Sequence, residues 1–369
     1  MKVARSRVPG LRERAGRSAA SGRFLAPPAP DVEPGPPPTF SVIVAAYNVA
    51  DVIGDALQSI RAQTRPPLDV IVCDDGSTDD LEAAIKPFRD AITFLRQPNG
   101  GEAAAKNAAA AVAKGEFVAI LDADDVYFAN RLETLSKLAQ ARPDLDILTT
   151  DGFLCADGHV VRRNYGRSWR FEVVDQRRVI LQRNFIFGLA AVRREHLWEH
   201  GGFDESIRWT TDWDLWLRMI LAGARVGCVD KPLALYRLRE ASLTAQRREL
   251  LLGKLATLEK ARQNPELQGD EPDVLEASLA SYRRELALLD LRTSVAAGDT
   301  EARRRALDVL RAPGYRMRTR LDAAVMAAAP AMSGRVLRRR AQRTWTGAGG
   351  IRVRRAAGKP ASDRTSRGR

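Results

Sequence analysis

The stretch FVAILDADDVYFANRL, residues 117–132, decides the fold. Phe117 to Leu121 form an unbroken apolar run, the pattern of a short strand buried on both faces. Asp122, Asp124 and Asp125 follow at once. Carboxylates that close repel, and each resists ionising beside the others. A helix starting at 126 needs one capping Asp, not three. A divalent cation resolves the conflict, because Mg²⁺ or Mn²⁺ takes oxygen ligands and keeps positions open for phosphate oxygens. Capping of a helix over 126–140 by Asp124 or Asp125 is the plainer alternative.

Upstream the same grammar repeats. FSVIVAA (40–46), LDVIVC (68–73) and AITFLR (91–96) read as strands. Between them Val52, Ile53, Ala56, Leu57 and Ile60 recur at helical spacing, and Asn99-Gly100-Gly101 breaks the chain before an Ala-rich helix over 102–114. This alternation predicts an α/β domain with a mainly parallel, Rossmann-like sheet flanked by helices. Ligands of such sheets bind beyond the carboxyl ends of the strands. Three polar stretches fall there: Ala45-Ala46-Tyr47-Asn48, Asp74 to Asp80, and Asp122 to Asp125. They are expected to share one crevice.

Downstream, LDILTTDG (145–152) and ARVGCV (224–229, ending before Pro232) are further strand candidates. A helix is expected from about Thr211, with Trp213, Leu217 and Ile220 as its core stripe. Asp212 at its start reads either as N-cap or as a general base; Asp214 and Arg218 are spaced as a surface ion pair. Asp75 can accept a hydrogen bond from a nucleobase and Tyr47 can stack on it, or Asp74–Asp79 form only a turn, with Ser77 and Asp79 capping. Beyond residue 245 the pattern changes to Leu-rich helical segments (247–263, 273–297, 299–311).

The domain organisation follows: a disordered basic, Pro-rich arm (1–39), an α/β domain (40–245), a helical extension (246–333) and a disordered basic tail (334–369). The net charge is +13. The first 39 residues contribute +4 and residues 301–369 contribute +15, which leaves −6 for 40–300. Basic tails suit an anionic lipid surface as well as plain solvent. Apart from Tyr315 and Trp345, aromatic residues are not interleaved with these charges, so a nucleic acid is a poorly supported partner. Cys73, Cys155 and Cys228 lack CxxC spacing, which argues for a reducing compartment and against zinc. Three histidines are too few to suggest a His-based metal centre. With no apolar span and no signal-peptide pattern, the expected location is the cytoplasm, with peripheral contact at the inner face of the membrane through the tails.

Taken in order, FSVIVAAYN, DVIVCDDGSTDD, PNGGEAAAKNAAAAVAKGEFVAILDADD, GGFDE and TTDWDLWLRM resemble the family-2 inverting glycosyltransferases of the GT-A fold. The resemblance covers roughly 40–245. It implies a nucleoside diphosphate sugar donor, with a UDP-sugar the usual choice, and a glycan or lipid-linked acceptor in cell-envelope polysaccharide assembly. Ala45, Tyr47, Asp75, Lys106 and Asp122 would contact the donor: Tyr47 and Asp75 at the base, Lys106 at the diphosphate, Asp122 near the ribose. Asp124 and Asp125 would bind Mg²⁺ or Mn²⁺, and Asp212 would be the catalytic base. Two positions depart from the family pattern. Thr211 stands before Asp212 where the family has a second carboxylate, and Arg239 in YRLREASLT stands where it has a histidine. A sugar nucleotidyltransferase and a non-catalytic binding module are the alternatives. The former lacks its Gly-rich phosphate loop after the first strand; the latter is disfavoured by the presence of Asp212. Tyr165, Trp169, Phe185 and Phe187 either stack on an acceptor or belong to the core.

Overall fold

The computed structural model describes residues 22–29, 33–166, 169–238, 240–346 and 352–354. They form β1 (Phe24–Leu25), β2 (Phe40–Ala46), α1 (Ile53–Arg61), β3 (Asp69–Asp74), α2 (Leu81–Ile85), β4 (Thr93–Arg96), α3 (Glu102–Val112), β5 (Phe117–Ile120), β6 (Val126–Tyr127) and α4 (Arg131–Ala141). Then come β7 (Ile147–Ala156), β8 (His159–Arg163), α5 (Gln176–Ile180), β9 (Ala191–Arg193), α6 (Arg194–Glu199), α7 (Thr211–Leu221) and β10 (Val226–Leu238). The remainder is helical, α8 (Glu240–Ala261), α9 (Glu271–Ala297), α10 (Ala302–Arg311), α11 (Met317–Ala328) and α12 (Pro330–Arg343), before a short hairpin of β11 (Thr344–Thr346) and β12 (Arg352–Arg354).

The packing divides into two units, one running to Leu238 and including Glu249–Arg283, the other holding 240–248 and the chain from 284. In the first unit one sheet runs in the order β1-β10-β7-β9-β5-β2-β3-β4. The pairs β5–β2, β2–β3, β3–β4 and β7–β10 are parallel. Alternation along the strands splits the core. Phe40, Val42 and Val44 pack with Ile53, Leu57, Leu135 and Leu138 on one face; Ile43 packs with Ala105, Ala109, Trp213 and Leu217 on the other. The second unit has its own small core of Leu291, Val295, Ala302, Ala306, Val309 and Ala323.

Four features differ from the expectations. The three-residue strand β9 lies antiparallel between β5 and β7. Strand β10 runs through Pro232 to Leu238, with register shifts on both sides of the proline, where a missing N–H is tolerated. Regular structure is present before Phe40, since Phe24–Leu25 pair with Val229 and Cys228, and after residue 334, since α12 reaches Arg343. The packing also divides away from residue 245: Leu258, Val274, Leu275 and Leu279 belong to the core of the first unit. All three cysteines are buried and free. Arg239 lies outside the described residues, as do 1–21 of the basic arm and 355–369 of the basic tail.

Candidate active site

The loops that leave β2 and β3 are tied to each other. The Asn48 N–H donates to Ser77 Oγ at 3.0 Å, Thr78 N–H donates to Asn48 Oδ1 at 2.8 Å, and Ala50 N–H donates to Asp79 Oδ2 at 2.8 Å. Ser77 and Asp79 therefore brace the neighbouring loop rather than cap a helix. The cap of α2 is Asp80, which accepts from Ala83 N–H. Ala45 pairs with Cys73 near the strand end, and Tyr47 projects exposed at the rim.

Asp75 is buried and already well supplied with donors. Its Oδ1 accepts from Gln97 Nε2 (2.8 Å) and Gly100 N–H (2.9 Å), and its Oδ2 accepts from Gly101 N–H (2.8 Å). Gly101 sits at φ +93°, the conformation that lets its N–H aim at the carboxylate while its backbone starts α3. A carboxylate has about four lone-pair sites, so one remains for a ligand N–H.

A turn further along α3, Lys106 is buried and pairs with Glu102 and with Asp122 Oδ1 at 3.4 Å. Burial alone would depress its ammonium; Asp122 and Glu102 outweigh that and hold its pKa above the ordinary value. Asp122 is pushed up to about 6, first by burial and then by Glu102 and Asp124, against the pull of Lys106. Asp125 is also pushed up, by burial and by its neighbours Asp124 and Asp122. Its Oδ1 accepts from Arg237 N–H at 2.8 Å, while its Oδ2 is buried with no hydrogen-bond partner. No cap is made to α4 by Asp124 or Asp125, because the helix begins at Arg131 after Asn130.

Among the described residues no three His, Cys, Asp or Glu side chains are gathered tightly enough to hold a metal ion by themselves. Mg²⁺ does not need that: one or two carboxylates plus substrate phosphates suffice. The unpartnered Asp125 oxygen, in a loop whose carboxylates disfavour one another's charge, fits such a cation.

Asp212 is the second residue of α7, not its N-cap, which is Thr210. Its Oδ1 accepts from Trp213 N–H at 2.7 Å and its Oδ2 from Asn184 Nδ2 at 3.0 Å. The Asn184 amide cannot turn over freely, since its Oδ1 accepts from Ile186 N–H at 3.0 Å. Burial raises the Asp212 pKa, and Lys106 opposes the rise. Asp214 and Arg218 do not form a surface pair: Asp214 is 2% exposed, and Arg218 meets it at 2.8 Å while donating to the carbonyls of His200 and Gly202. The pair thus anchors the Gly201-Gly202 turn to α7. Gly202, at φ +66°, has no room for a side chain, because a Cβ would lie 2.8 Å from Asn107 Oδ1. Asn107 of α3 in turn exchanges hydrogen bonds with the Phe203 backbone.

The single helix α3 therefore joins the parts. Its N-terminus holds Asp75, Lys106 reaches Asp122 and lies near Asp212, and Asn107 holds the turn leading to α7. Asn184, Gln97 and Arg237 were not expected here; their contacts lie 22 to 112 residues away in sequence and carry no local signal. Phe185 and Phe187 are core residues. Tyr165 packs on Trp169 at 5.1 Å between ring centres and hydrogen-bonds the Phe185 and Phe187 backbones.

Carboxylates collected beyond the carboxyl ends of a mixed α/β sheet of this topology define a GT-A fold. S. aureus TarS 1–349, solved with UDP-GlcNAc, superposes with a TM-score of 0.54 at 19% identity, over 87% of this chain and 98% of that one. A mannosyltransferase from Pyrobaculum calidifontis, solved with GDP-Man and Mn²⁺, gives 0.54 at 22% identity over 88% and 92%. The sequence profile described as Glycosyl transferase family 2 matches residues 41–201. The succinoglycan biosynthesis protein ExoU of Rhizobium meliloti is 30% identical over 243 residues, 61% of this chain and 69% of ExoU. An uncharacterized glycosyltransferase of Rickettsia prowazekii is 29% identical, and the match spans 49% of this chain but only 58% of that relative. The chain belongs to glycosyl transferase family 2.

Proposed function

We propose that the chain transfers a sugar, with inversion, from a nucleoside diphosphate sugar to a hydroxyl of a glycan or lipid-linked acceptor in cell-envelope polysaccharide assembly. The observation that supports this reading is the junction made by α3, which ties the Asp75 carboxylate, the buried Lys106 ammonium and Asp122 together beyond the strand ends, with Asp212 near Lys106. Tyr47 and the remaining lone pair of Asp75 receive the nucleobase. Lys106, held charged by Asp122 and Glu102, faces the diphosphate as a point charge. Asp124 and Asp125 would hold Mg²⁺ or Mn²⁺, which supplies charge to offset the departing diphosphate.

Asp212 takes the proton from the acceptor hydroxyl. That oxygen forms its bond to the anomeric carbon as the bond from that carbon to the phosphate oxygen breaks, and the electron pair leaves on the diphosphate. One displacement inverts the centre, so no protein nucleophile is required. Asn184 and Trp213 N–H keep the carboxylate aimed. A UDP donor comes first because TarS has been solved with UDP-GlcNAc; GDP is next because the mannosyltransferase has been solved with GDP-Man.

Calorimetric titration of UDP, GDP and dTDP, with Mn²⁺ and with chelator, tests the reading on the intact chain and on Asp124→Asn. One nucleotide is expected to bind in a metal-dependent manner and to lose affinity in the variant. Binding of none of them, or binding indifferent to both metal and Asp124, would overturn it.

A further inference from the structure

The second unit presents an apolar face to solvent. Met317, Leu321 and Val325 on α11 are 72%, 60% and 55% exposed. At about 100° per residue these three fall within one arc of α11, with exposed Arg318 at one edge and Asp322 beyond it, and with Arg320, whose guanidinium donates to the Ala312 carbonyl, at the other. The opposite side of the helix, with Ala323, Met326 and Ala327, packs into the core of the unit. An exposed helix ordinarily turns polar residues outward; this one is apolar on both sides. The next helix repeats the arrangement, with Met332 and Val336 exposed one turn apart and Arg335 beside them.

Apolar side chains alone do not name an occupant; the charge does. Residues 301–369 hold nineteen Lys and Arg against four Asp and Glu. A protein partner for Met, Leu and Val bordered by arginines would need an acidic rim around an apolar patch. An anionic bilayer surface offers both at once: acyl chains for the apolar arc and headgroups for the guanidinium groups, whose stems can lie along the apolar surface. No helix among the described residues is long and apolar enough to cross a membrane, so the contact is interfacial.

We infer that the outer faces of α11 and α12 form a docking surface for an anionic lipid bilayer, inserting Met317, Leu321 and Val325 between headgroups. The inference stands on the second unit and does not depend on which sugar is transferred.

The test is co-sedimentation of the full chain with vesicles of phosphatidylcholine mixed with phosphatidylglycerol, and of phosphatidylcholine alone. The wild-type chain is expected to bind the mixed vesicles and to bind the neutral ones at least about tenfold more weakly. The triple variant Met317→Ser, Leu321→Ser, Val325→Ser leaves charge unchanged and is expected to lose about tenfold or more on the mixed vesicles. Leu68→Ser, an isolated exposed leucine, is expected to bind as the wild type does. Because the three side chains are exposed, circular dichroism should match the wild type; the single variant Leu321→Ser, with a smaller loss in the same direction, serves if it does not. Absence of wild-type binding overturns the inference. Unchanged binding by the triple variant also overturns it, since basic tail residues alone would then account for the sedimentation. So would a wild-type dimer that ignores vesicles and that the variant dissociates.

Discussion

Replacing Asp212 by Asn separates catalysis from architecture. The carboxylate makes two hydrogen bonds, from Trp213 N–H and from Asn184 Nδ2. The introduced side chain keeps the first through its oxygen but sets its own amide NH₂ against that of Asn184, which is pinned by Ile186 N–H. One lost hydrogen bond costs about 0.5–1.5 kcal/mol. Against this, the variant removes a carboxylate whose charge is disfavoured by burial. A raised folded pKa means the folded state holds the proton more tightly, so Asp212's stabilising contribution is present at low pH and lost as pH rises through the folded value. At neutral pH the ionised carboxylate is thus destabilising, and the substitution relieves it. The two effects oppose, and the melting temperature is expected to move by only a few degrees. Donor affinity should hold or rise, since a negative charge leaves the crevice. Turnover should fall by roughly 10²–10⁴-fold, the usual share of a general base. The assay is release of the nucleoside diphosphate from the donor identified by calorimetry, in the presence of an active acceptor. The wild-type rate should also decline as pH falls through a carboxylate pKa above the ordinary Asp value, and the variant should lose only the Asp212 share of that decline, keeping the share of Asp122 and Asp125. A rate within about fivefold of wild type at equal donor affinity would refute the assignment of Asp212 as base.

Three further outcomes follow from the same geometry. Asp75→Ala leaves Gln97 Nε2 and the Gly100 and Gly101 N–H groups without their acceptor; nucleotide binding by calorimetry should be lost and stability should drop by about 2–5 kcal/mol in denaturant titration. Asp214→Ala leaves Arg218 without its carboxylate but still bonded to the His200 and Gly202 carbonyls, which should cost about 1–3 kcal/mol by the same measurement. Ending the chain after residue 245 removes Thr257 from Thr210, Lys260 from Asp204 and Asp214, and Leu258 from the core, so this truncation should lose its near-ultraviolet circular dichroism and bind no nucleotide.

What could be read beforehand followed local pattern. The runs 40–46, 69–74 and 117–120 are buried strands because nothing polar interrupts them for long, and the stripe Trp213-Leu217-Ile220 is inside because helical spacing puts it there. The missed features are those without a local period. Strand β9 is three residues long, too short for alternation to show. Asp214 and Arg218 have the same i,i+4 spacing whether on a surface or under a turn; only the carbonyls of His200 and Gly202, contributed from outside the helix, decide the matter. The Leu-rich pattern of α8 and α9 runs unbroken through the place where the packing divides, so spacing alone suggested one helical extension where two units share the helices.

The carboxylates of the crevice differ less in residue type than in what already occupies them. Asp75 is filled by three protein donors and keeps about one lone-pair site, which suits recognition of a single N–H and not a metal. Asp122 faces Lys106, so its charge is partly neutralised inside the protein. Asp125 holds one backbone N–H and leaves a buried oxygen without a hydrogen-bond partner, a cost that either a proton or a cation at that oxygen would relieve. Asp212 takes its two bonds from Trp213 N–H and Asn184 Nδ2 and, like Asp122 and Asp125, is pushed toward protonation by burial, which suits the role proposed for it of accepting a proton. Swapping Asp for Glu at any of these positions keeps the charge and shifts the oxygens by a methylene. If occupancy rather than charge sets their roles, such swaps should disturb Asp75 and Asp212, each held by short bonds to fixed partners, more than Asp122, which meets Lys106 at 3.4 Å.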